Sequence, residues 1–464
     1  MIRCRRLLVL ELRGALGHAR SRPAAGGQLA LGAWLRRRRA SAWWLAPLLP
    51  LYVAASLLLA RGSRPVDDEG SLLAFARALL HGHYATVGSM NSEGYLWHGP
   101  ALPLLLAPMV RIGLPLWAMR VLTGPLLLFV AVVLFERLLR LRLGRREALA
   151  GAFALGLFVP FGYLLRSIAK EELALVLVVA AMYGITRAVN GGPRRQMLLA
   201  GLALGALVYD RLEFGWVVLA MLLAAGLWTL LRRGRSAPRR FLAICAIALA
   251  TCVPWLLYTH SVTGRVLYWG NSGGLSLYWM SSPSPDQLGA WHSVHTVFRD
   301  AYLAPLRPFF RRVDRLPPLA RDLALQAAAL RNIRADPAQY ALNVAANASR
   351  MLFAEPLGVN LPAALVAAYG LCMALLLGTA ARGAARLRRS IRPPPREALP
   401  FALLLVFGFG IHLFPTADPR MLMPLIPLLV WVAVQGWGQG RGAAHAADQP
   451  PLAPAAVAAV TTRR

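Results

Sequence analysis

The sequence has little cysteine, little acid and almost no lysine. Its four cysteines lie in the N-terminal stretch and in apolar runs, without metal-binding spacing, so they predict neither a disulfide framework nor a zinc site. Only 15% of the residues are charged and 57% are hydrophobic, which excludes an ordinary soluble protein. Of 51 basic residues, Lys170 alone is a lysine and the rest are arginines.

The formal net charge of +31 raises the question of a nucleic-acid partner. Nucleic-acid binding needs basic residues gathered on one solvated face. Here the arginine clusters stand between apolar stretches, which is typical of cytoplasmic loops under the positive-inside rule. We therefore expect membrane lipids and no nucleic acid as partners.

Apolar runs of about 20 residues, the length that crosses a bilayer, recur along the chain. They predict an all-α integral membrane protein of about ten transmembrane helices with two large outer loops. The predicted spans are approximately 42–60, 117–136, 148–165, 172–189, 196–212, 214–231, 240–258, 358–380, 399–415 and 421–437.

The arginine-rich segments predict the orientation of these spans. Residues 1–41 form a basic cytoplasmic tail, since their apolar stretch is too short for a signal peptide. With ten spans, the four later arginine-rich linkers also fall inside: Arg137–Arg146, Arg194-Arg195, Arg232–Arg240 and Arg382–Arg396. Counting the proline-rich segment 99–116 as a further span would put the basic linker Arg137–Arg146 outside, against the positive-inside rule. We therefore expect a re-entrant or interfacial helix there.

The domain organisation follows from the loops. An N-terminal transmembrane region, 42–258, contains the first outer loop, 61–116, in which Ser71–Leu80 has the spacing of an amphipathic helix. A long outer loop, 259–357, is predicted to contain short helices around 319–334 and 337–352. C-terminal transmembrane helices, 358–437, precede a flexible cytoplasmic tail, 438–464, rich in Gly, Ala and Pro.

The strongest local signal is the run Asp67-Asp68-Glu69 at the outer end of the first span. Three adjacent carboxylates repel one another and lose solvation there, which raises at least one pKa and suits a general base or a cation ligand. The alternative is a solvated loop that merely obeys the charge asymmetry.

Further groups fall on the same outer face. Candidate binding residues are Arg166, Lys170, Glu171, Glu172, Asp210 and Arg420, for which interfacial salt bridges or snorkelling are the alternatives. In the long loop, Trp269, Tyr278 and Trp279 suit a sugar surface or, alternatively, an interfacial aromatic belt. Asn347-Ala348-Ser349 matches the N-glycosylation motif, which is common by chance.

The order of these features resembles the GT-C glycosyltransferases, above all the protein O-mannosyltransferase and aminoarabinose transferase group. Asp68-Glu69 matches the group's Asp-Glu pair, Gly82 and Tyr84 its Gly and Tyr positions, and Gly99-Pro100 the place of its paired prolines. The stretch ADPRMLMPLIPLL, which contains Arg420, resembles its arginine motif before the last span. In place of its second Asp stands Glu171-Glu172, which leaves the role of each carboxylate and a divalent cation open.

The resemblance implies an inverting transfer of a sugar from a polyprenyl-phosphate donor to a lipid-glycan, protein or peptide hydroxyl. It implies that Asp68 is the base, that Glu69 orients it or binds acceptor, and that Arg166, Lys170 and Arg420 stabilise the phosphate. It also implies a bacterial inner membrane with the active site on the periplasmic face, as for lipopolysaccharide sugar transferases. A transporter or flippase of a lipid-linked substrate is the alternative.

Overall fold

The computed structural model describes residues 43–60, 64–84, 96–232, 234–356, 363–390 and 393–447. The predicted basic tail and residues 448–464 of the predicted C-terminal tail lie outside these ranges. The chain divides into two compact units, Met1–Pro47 and Leu48–Arg464. In the first unit, the described residues form a short helical turn in which the Ala46 amide donates to the Trp43 carbonyl. The second unit contains every candidate site residue.

Throughout its described residues, the second unit is built of helices and contains no strand. Its α-helices are α1 Leu48–Leu59, α2 Glu69–Leu80, α3 Ala101–Arg111, α4 Leu116–Leu139, α5 Arg145–Gly156, α6 Pro160–Leu164, α7 Lys170–Val189, α8 Arg194–Asp210, α9 Phe214–Leu231, α10 Ser236–Thr263, α11 Gly273–Met280, α12 Val294–Arg299, α13 Arg307–Val313, α14 Pro318–Ala335, α15 Pro337–Phe353, α16 Ala363–Arg389, α17 Ala398–Leu413 and α18 Ile426–Ala447. Its 3-10 helices are Pro285–Gln287, Ala301–Leu306 and Pro419–Leu425. The predicted all-α fold is confirmed.

Six helical segments of the described chain are long and apolar enough to cross a membrane: α4, α7, α9, α10, α16 and Pro419–Trp437. The 24 residues of α4 extend about 36 Å, more than the roughly 30 Å of a hydrocarbon core. Helices also occupy the other predicted positions, but they are shorter; α8 has 17 residues and α17 has 16. The chain is therefore a multi-pass membrane protein, while the predicted count of ten spans is not confirmed.

The predicted span 148–165 is interrupted, because α5 ends at Gly156 and α6 begins at Pro160. A continuous helix would need the residue 160 amide to donate to the Gly156 carbonyl, and proline has no such hydrogen. The Tyr52 hydroxyl of α1 donates to this carbonyl instead, at 2.8 Å. The interruption therefore has a sequence cause and a compensating partner.

Helices α2 and α3 form the described part of the first outer loop. The amphipathic prediction is confirmed, since α2 buries Leu72, Leu73 and Ala76 in an apolar cluster with α3. The 11 residues of α3 extend only about 16 Å, which is less than the roughly 30 Å of a hydrocarbon core. A re-entrant or interfacial position for segment 99–116 stays a prediction.

The segment predicted as the long outer loop is packed around its own core. Helices α14 and α15 lie where the sequence predicts short helices, and α11 packs against α14. Apolar side chains from α11 to α14, including Trp279 and Phe310, form the interior. This loop is therefore a folded cap.

Helix α7 lies inside the bundle and packs against α4, α8, α10 and the 3-10 helix Pro419–Leu425. Beyond its C-terminus, Glu397 accepts hydrogen bonds from Arg142 and from the Asn190 amide, the latter at 2.9 Å. These residues lie in or next to three of the linkers that are predicted to be cytoplasmic. The structure thus brings these linkers together at one end, and the candidate site lies at the other.

Candidate functional site

The three consecutive carboxylates of the first outer loop have different surroundings. The side chains of Asp67, Asp68 and Glu69 are 38%, 31% and 0% exposed. Asp67 has a positive φ of 49° and precedes Asp68, the N-cap residue of α2. This sharp turn directs three neighbouring side chains into three environments.

Glu69 is a buried structural anchor. The Arg120 Nε and Nη2 atoms donate to its two oxygens at 2.7 and 2.6 Å, which is a bidentate pair. The amides of Ile168 and Val66 donate to the same oxygens at 2.8 and 2.9 Å. Glu69 thereby ties the start of α2 to α4 and to the segment before α7.

Asp68 forms an ion pair with Arg420, whose Nη2 donates to Oδ2 at 3.1 Å. Burial alone would raise the pKa of Asp68, but Arg420, with smaller effects of His98 and Lys170, lowers it well below its ordinary value. Asp68 is therefore ionised at neutral pH. Burial raises the pKa of Asp418, which lies 3.8 Å from the Arg420 guanidinium.

Asp67 pairs with the second predicted phosphate-binding arginine. The Arg166 Nη2 donates to Asp67 Oδ2 at 2.6 Å, and the guanidinium stacks 3.9 Å from the centroid of the Tyr163 ring. Two carboxylate–arginine pairs, Asp67–Arg166 and Asp68–Arg420, thus stand at one end of the bundle.

The predicted acidic groups of α7 and α8 are buried within this end. Glu171 accepts from Arg211 at 3.0 Å and lies 3.9 Å from the Arg420 guanidinium. The carboxylates of Glu172 and Asp210 are buried without a hydrogen-bond partner in the described chain. These residues thus lie at the same end of the bundle as Asp68, but Glu172 and Asp210 lie below its surface.

Lys170 contacts a residue that sequence reasoning missed. Its Nζ lies 3.2 Å from His98 Nδ1, and His98 Nε2 lies 2.8 Å from the Ser71 hydroxyl. Gly99 brings His98 into place, because a Cβ there would lie 2.0 Å from the Tyr209 carbonyl oxygen at the end of α8. The one sequence signal for His98 is its position directly before Gly99-Pro100, the pair that matches the paired prolines of the GT-C group.

A cavity of about 570 Å³ opens beside the two carboxylate–arginine pairs. Its polar wall includes Asp67, Asp68, Tyr163, Arg166, Asp418 and Arg420. Its apolar wall includes Val159, Pro160, Leu164, Leu365, Val366 and Met423. The interruption between α5 and α6 therefore contributes to the apolar side, while the acidic loop and the arginines form the polar side.

The predicted sugar-binding aromatics lie away from this cavity. Trp279 is fully buried and stacks on Phe310 at 5.4 Å, and Tyr278 stacks on Phe309 at 5.1 Å. Trp269 is buried against α9. Packing within the cap accounts for Tyr278 and Trp279, and packing against α9 accounts for Trp269. A sugar contact by any of the three stays a prediction.

The glycosylation motif has a structural explanation as well. Asn347 is fully buried, and its amide nitrogen donates to the carbonyls of His412, Leu413 and Pro415 at 2.9 to 3.0 Å. Its oxygen accepts from the Ala417 amide at 3.1 Å. Asn347 therefore holds the segment that leads to Arg420.

A metal requirement was left open by the sequence. Within the ranges that the structure describes, no group of three His, Cys, Asp or Glu side chains is arranged to hold a metal ion. A divalent cation stays an untested prediction.

Comparison with solved structures finds similar proteins at low identity. The archaeal oligosaccharyltransferase AglB from Archaeoglobus fulgidus, in complex with an inhibitory peptide and a dolichol-phosphate, is 14% identical over 88% of this chain, with a TM-score of 0.48. ArnT from Cupriavidus metallidurans, bound to undecaprenyl phosphate, is 15% identical over 89% of this chain and 82% of its own, with a TM-score of 0.39. The chain spans about half of AglB, 52% of its length.

Among curated protein sequences, none matches this chain. A family model does match residues 97–258, and its description is dolichyl-phosphate-mannose-protein mannosyltransferase. The matched segment contains His98, Arg166 and the acidic groups of α7 and α8, but neither Asp68 nor Arg420. This match confirms the predicted resemblance of the chain to the GT-C membrane glycosyltransferases, through their protein O-mannosyltransferase branch.

Proposed function

We propose that this protein is an inverting glycosyltransferase that moves a sugar from a polyprenyl-phosphate donor to a hydroxyl acceptor at the outer face of the membrane. The observation that carries the proposal is the cavity, in which the ionised Asp68 and the Arg420 guanidinium share one wall. A base and a phosphate-binding cation stand side by side there, which is what the reaction needs.

The two walls of the cavity suit the two parts of such a donor. Arg420 and Arg166 present guanidinium groups, which bind phosphate oxygens through parallel hydrogen bonds. The apolar wall, with Leu365, Val366 and Met423, offers contact to a prenyl chain. The matching family model, described as dolichyl-phosphate-mannose-protein mannosyltransferase, agrees with this donor class.

In the proposed reaction, the acceptor hydroxyl attacks the anomeric carbon as the bond from this carbon to the phosphate oxygen breaks. The bonding electron pair leaves with the phosphate, and the hydroxyl proton passes to Asp68. Arg420 connects the two events. A bound phosphate competes with Asp68 for the guanidinium, so donor binding frees the carboxylate and raises its basicity.

The other predicted residues receive roles from their contacts. Glu69 orients the loop that carries Asp68, since both of its oxygens are engaged with Arg120 and two backbone amides. Of the two roles expected for Glu69, orientation is thus the one we propose. Asp67 holds Arg166 at the cavity until phosphate arrives.

The acceptor is best identified in cells. Mass spectrometry of cell-envelope glycans from a strain that lacks the gene should reveal a missing sugar, which would also test the periplasmic and lipopolysaccharide expectations. The wild-type gene should restore this sugar, whereas Asp68→Asn should not. Asp286→Asn, which changes an exposed carboxylate of the cap, is the matched control and should restore it. Full restoration by a membrane-inserted Asp68→Asn variant would refute the proposed base.

A flippase would give a different result in proteoliposomes. The polyprenyl-phosphate donor of the missing sugar is placed on the accessible leaflet of the vesicles. An enzyme then transfers the sugar without moving the lipid, whereas a flippase moves the lipid without transferring the sugar. Movement of the lipid without sugar transfer would refute the proposed glycosyltransferase and support the flippase.

A further inference from the structure

A chain of hydrogen bonds joins the two helices that carry the cation and the proposed base. The Lys170 Nζ lies 3.2 Å from His98 Nδ1, and His98 Nε2 lies 2.8 Å from Ser71 Oγ. The Ser71 hydroxyl in turn donates to the Asp68 carbonyl at 2.8 Å. The chain therefore runs from the first residue of α7 to the N-cap of α2 through a buried histidine.

Counting the hydrogens fixes the form of His98. Lys170 has only hydrogens to offer, so His98 Nδ1 must accept and carries none. The Ser71 hydroxyl gives its single hydrogen to the Asp68 carbonyl, so its oxygen must accept from His98 Nε2. Both ends of the chain thus require the same neutral tautomer, with the hydrogen on Nε2.

We propose that His98 is a positioning residue, which in its Nε2-protonated neutral tautomer holds the Lys170 ammonium beside the Asp68 loop. The inference rests on the proposed function, since it assigns Lys170 to the charge balance of the proposed base. Among the described residues, the His98 imidazole is the only hydrogen-bond partner of the Lys170 Nζ. Lys170 is thereby kept at the site, although it does not line the cavity wall.

The electrostatic surroundings favour the neutral form. Burial acts first and Lys170 second to lower the pKa of His98, with Arg420 acting in the same direction. Asp68 and Glu213 oppose them, and the net effect lowers the pKa of His98 to about 3. Lys170 also lowers the pKa of Asp68, so moving the ammonium away should raise it.

Nitrogen NMR of the full-length protein in lipid nanodiscs, labelled with ¹⁵N-histidine, tests the tautomer without any substrate. The His98 signals are those lost in His98→Gln. We expect a protonated Nε2 and an unprotonated Nδ1 at neutral pH, with the Nδ1 signal displaced in Lys170→Met. A hydrogen on Nδ1, an imidazolium, or no response to Lys170→Met would overturn the proposal, whether or not the protein transfers sugar.

Two substitutions of His98 distinguish the Lys170 end of the hydrogen-bond chain from the Ser71 end. His98→Asn keeps an acceptor oxygen at the place of Nδ1, while His98→Gln keeps a donor at the place of Nε2. If Lys170 is the partner that matters, His98→Gln should lower kcat/KM about tenfold, as expected for losing a hydrogen bond to a charged group, and should move the acid limb of kcat to higher pH. His98→Asn should retain the wild-type limb.

His81→Gln, at an exposed histidine just beyond α2, is the control and should leave both quantities unchanged. Equal losses in His98→Asn and His98→Gln, with unmoved acid limbs, would reduce His98 to a packing residue and overturn the proposal. A wild-type protein without any transfer would instead refute the proposed function, and the NMR result alone would then decide the position of Lys170.

Discussion

The two ends of the helical bundle both contain carboxylate–arginine pairs, but these differ in how many hydrogen bonds the carboxylate oxygens accept. At the basic end, the fully buried Glu397 receives hydrogen bonds from Arg142 and Asn190 on both of its oxygens. At the cavity end, Asp68 shares one hydrogen bond of 3.1 Å with Arg420, and both side chains remain about a quarter to a third exposed.

The difference indicates which pair can exchange partners. A carboxylate whose oxygens are all engaged has nothing to offer a ligand, and breaking its pair leaves a buried charge. A partly exposed pair on a cavity wall can open at a cost that a phosphate group offsets. Glu69 follows the pattern of Glu397, although it adjoins Asp68 in the sequence. The following changes test this distinction.

The largest expected effect is that of Asp68→Asn on catalysis. Removing a general base lowers the rate by about 10²- to 10⁴-fold, so kcat should fall in this range while thermal stability changes little. Single-turnover transfer in proteoliposomes measures it. A kcat within threefold of wild type would place the base elsewhere.

Glu69→Gln should act on stability instead. It removes the charge of the buried carboxylate that pairs with Arg120, which costs roughly 3–5 kcal/mol. Thermal unfolding in detergent should show a large decrease, accompanied by poor expression. If Glu69→Gln unfolds normally but is inactive, Glu69 is not the structural anchor proposed here and acts in the reaction itself.

Arg420→Gln should change the pH dependence. Arg420 keeps the pKa of Asp68 low, so its removal raises that pKa, and Asp68 becomes protonated at higher pH. The acid limb of kcat/KM, which reports pKa values of the free enzyme, should therefore move upward by about 1–3 pH units. Arg166→Gln is the matched comparison, because Arg166 pairs with Asp67 and should leave the limb in place. A limb that moves equally in both variants would contradict the assigned pairs.

Glu397→Gln should have the smallest effect. Arg142 is 31% exposed and regains water when the charge of its partner is removed, so we expect a loss of only about 1–2 kcal/mol. Sugar transfer at a permissive temperature should match wild type. Reduced transfer by a stably folded variant would show that the two ends are coupled.

Much of the fold follows from patterns that the sequence displays. Apolar length predicted helices at all the proposed spans, and the spacing of Leu72, Leu73 and Ala76 predicted the buried face of α2. The interruption at Pro160 was missed because the apolar run continues through it. Hydropathy does not register a missing amide hydrogen.

The site was harder to predict, because its members come from distant parts of the chain. Asp68 and Arg420 were both selected, but nothing in the sequence indicates that they pair across 352 positions. Trp269, Tyr278 and Trp279 were selected as sugar-binding candidates, but their burial is explained by packing, which the sequence does not reveal. His98 was overlooked, since a lone histidine gains its meaning only from Lys170 and Ser71 in three dimensions.

The burial of Asn347 has a practical consequence. An enzyme that glycosylates Asn-x-Ser needs the asparagine amide, which in the folded protein is engaged with three carbonyl groups. If the chain were produced in a eukaryotic secretory pathway, a glycan at Asn347 would mark the molecules whose cap had failed to dock onto the segment leading to Arg420. The motif would then serve as a built-in reporter of misfolding, readable as a mass increase on a gel.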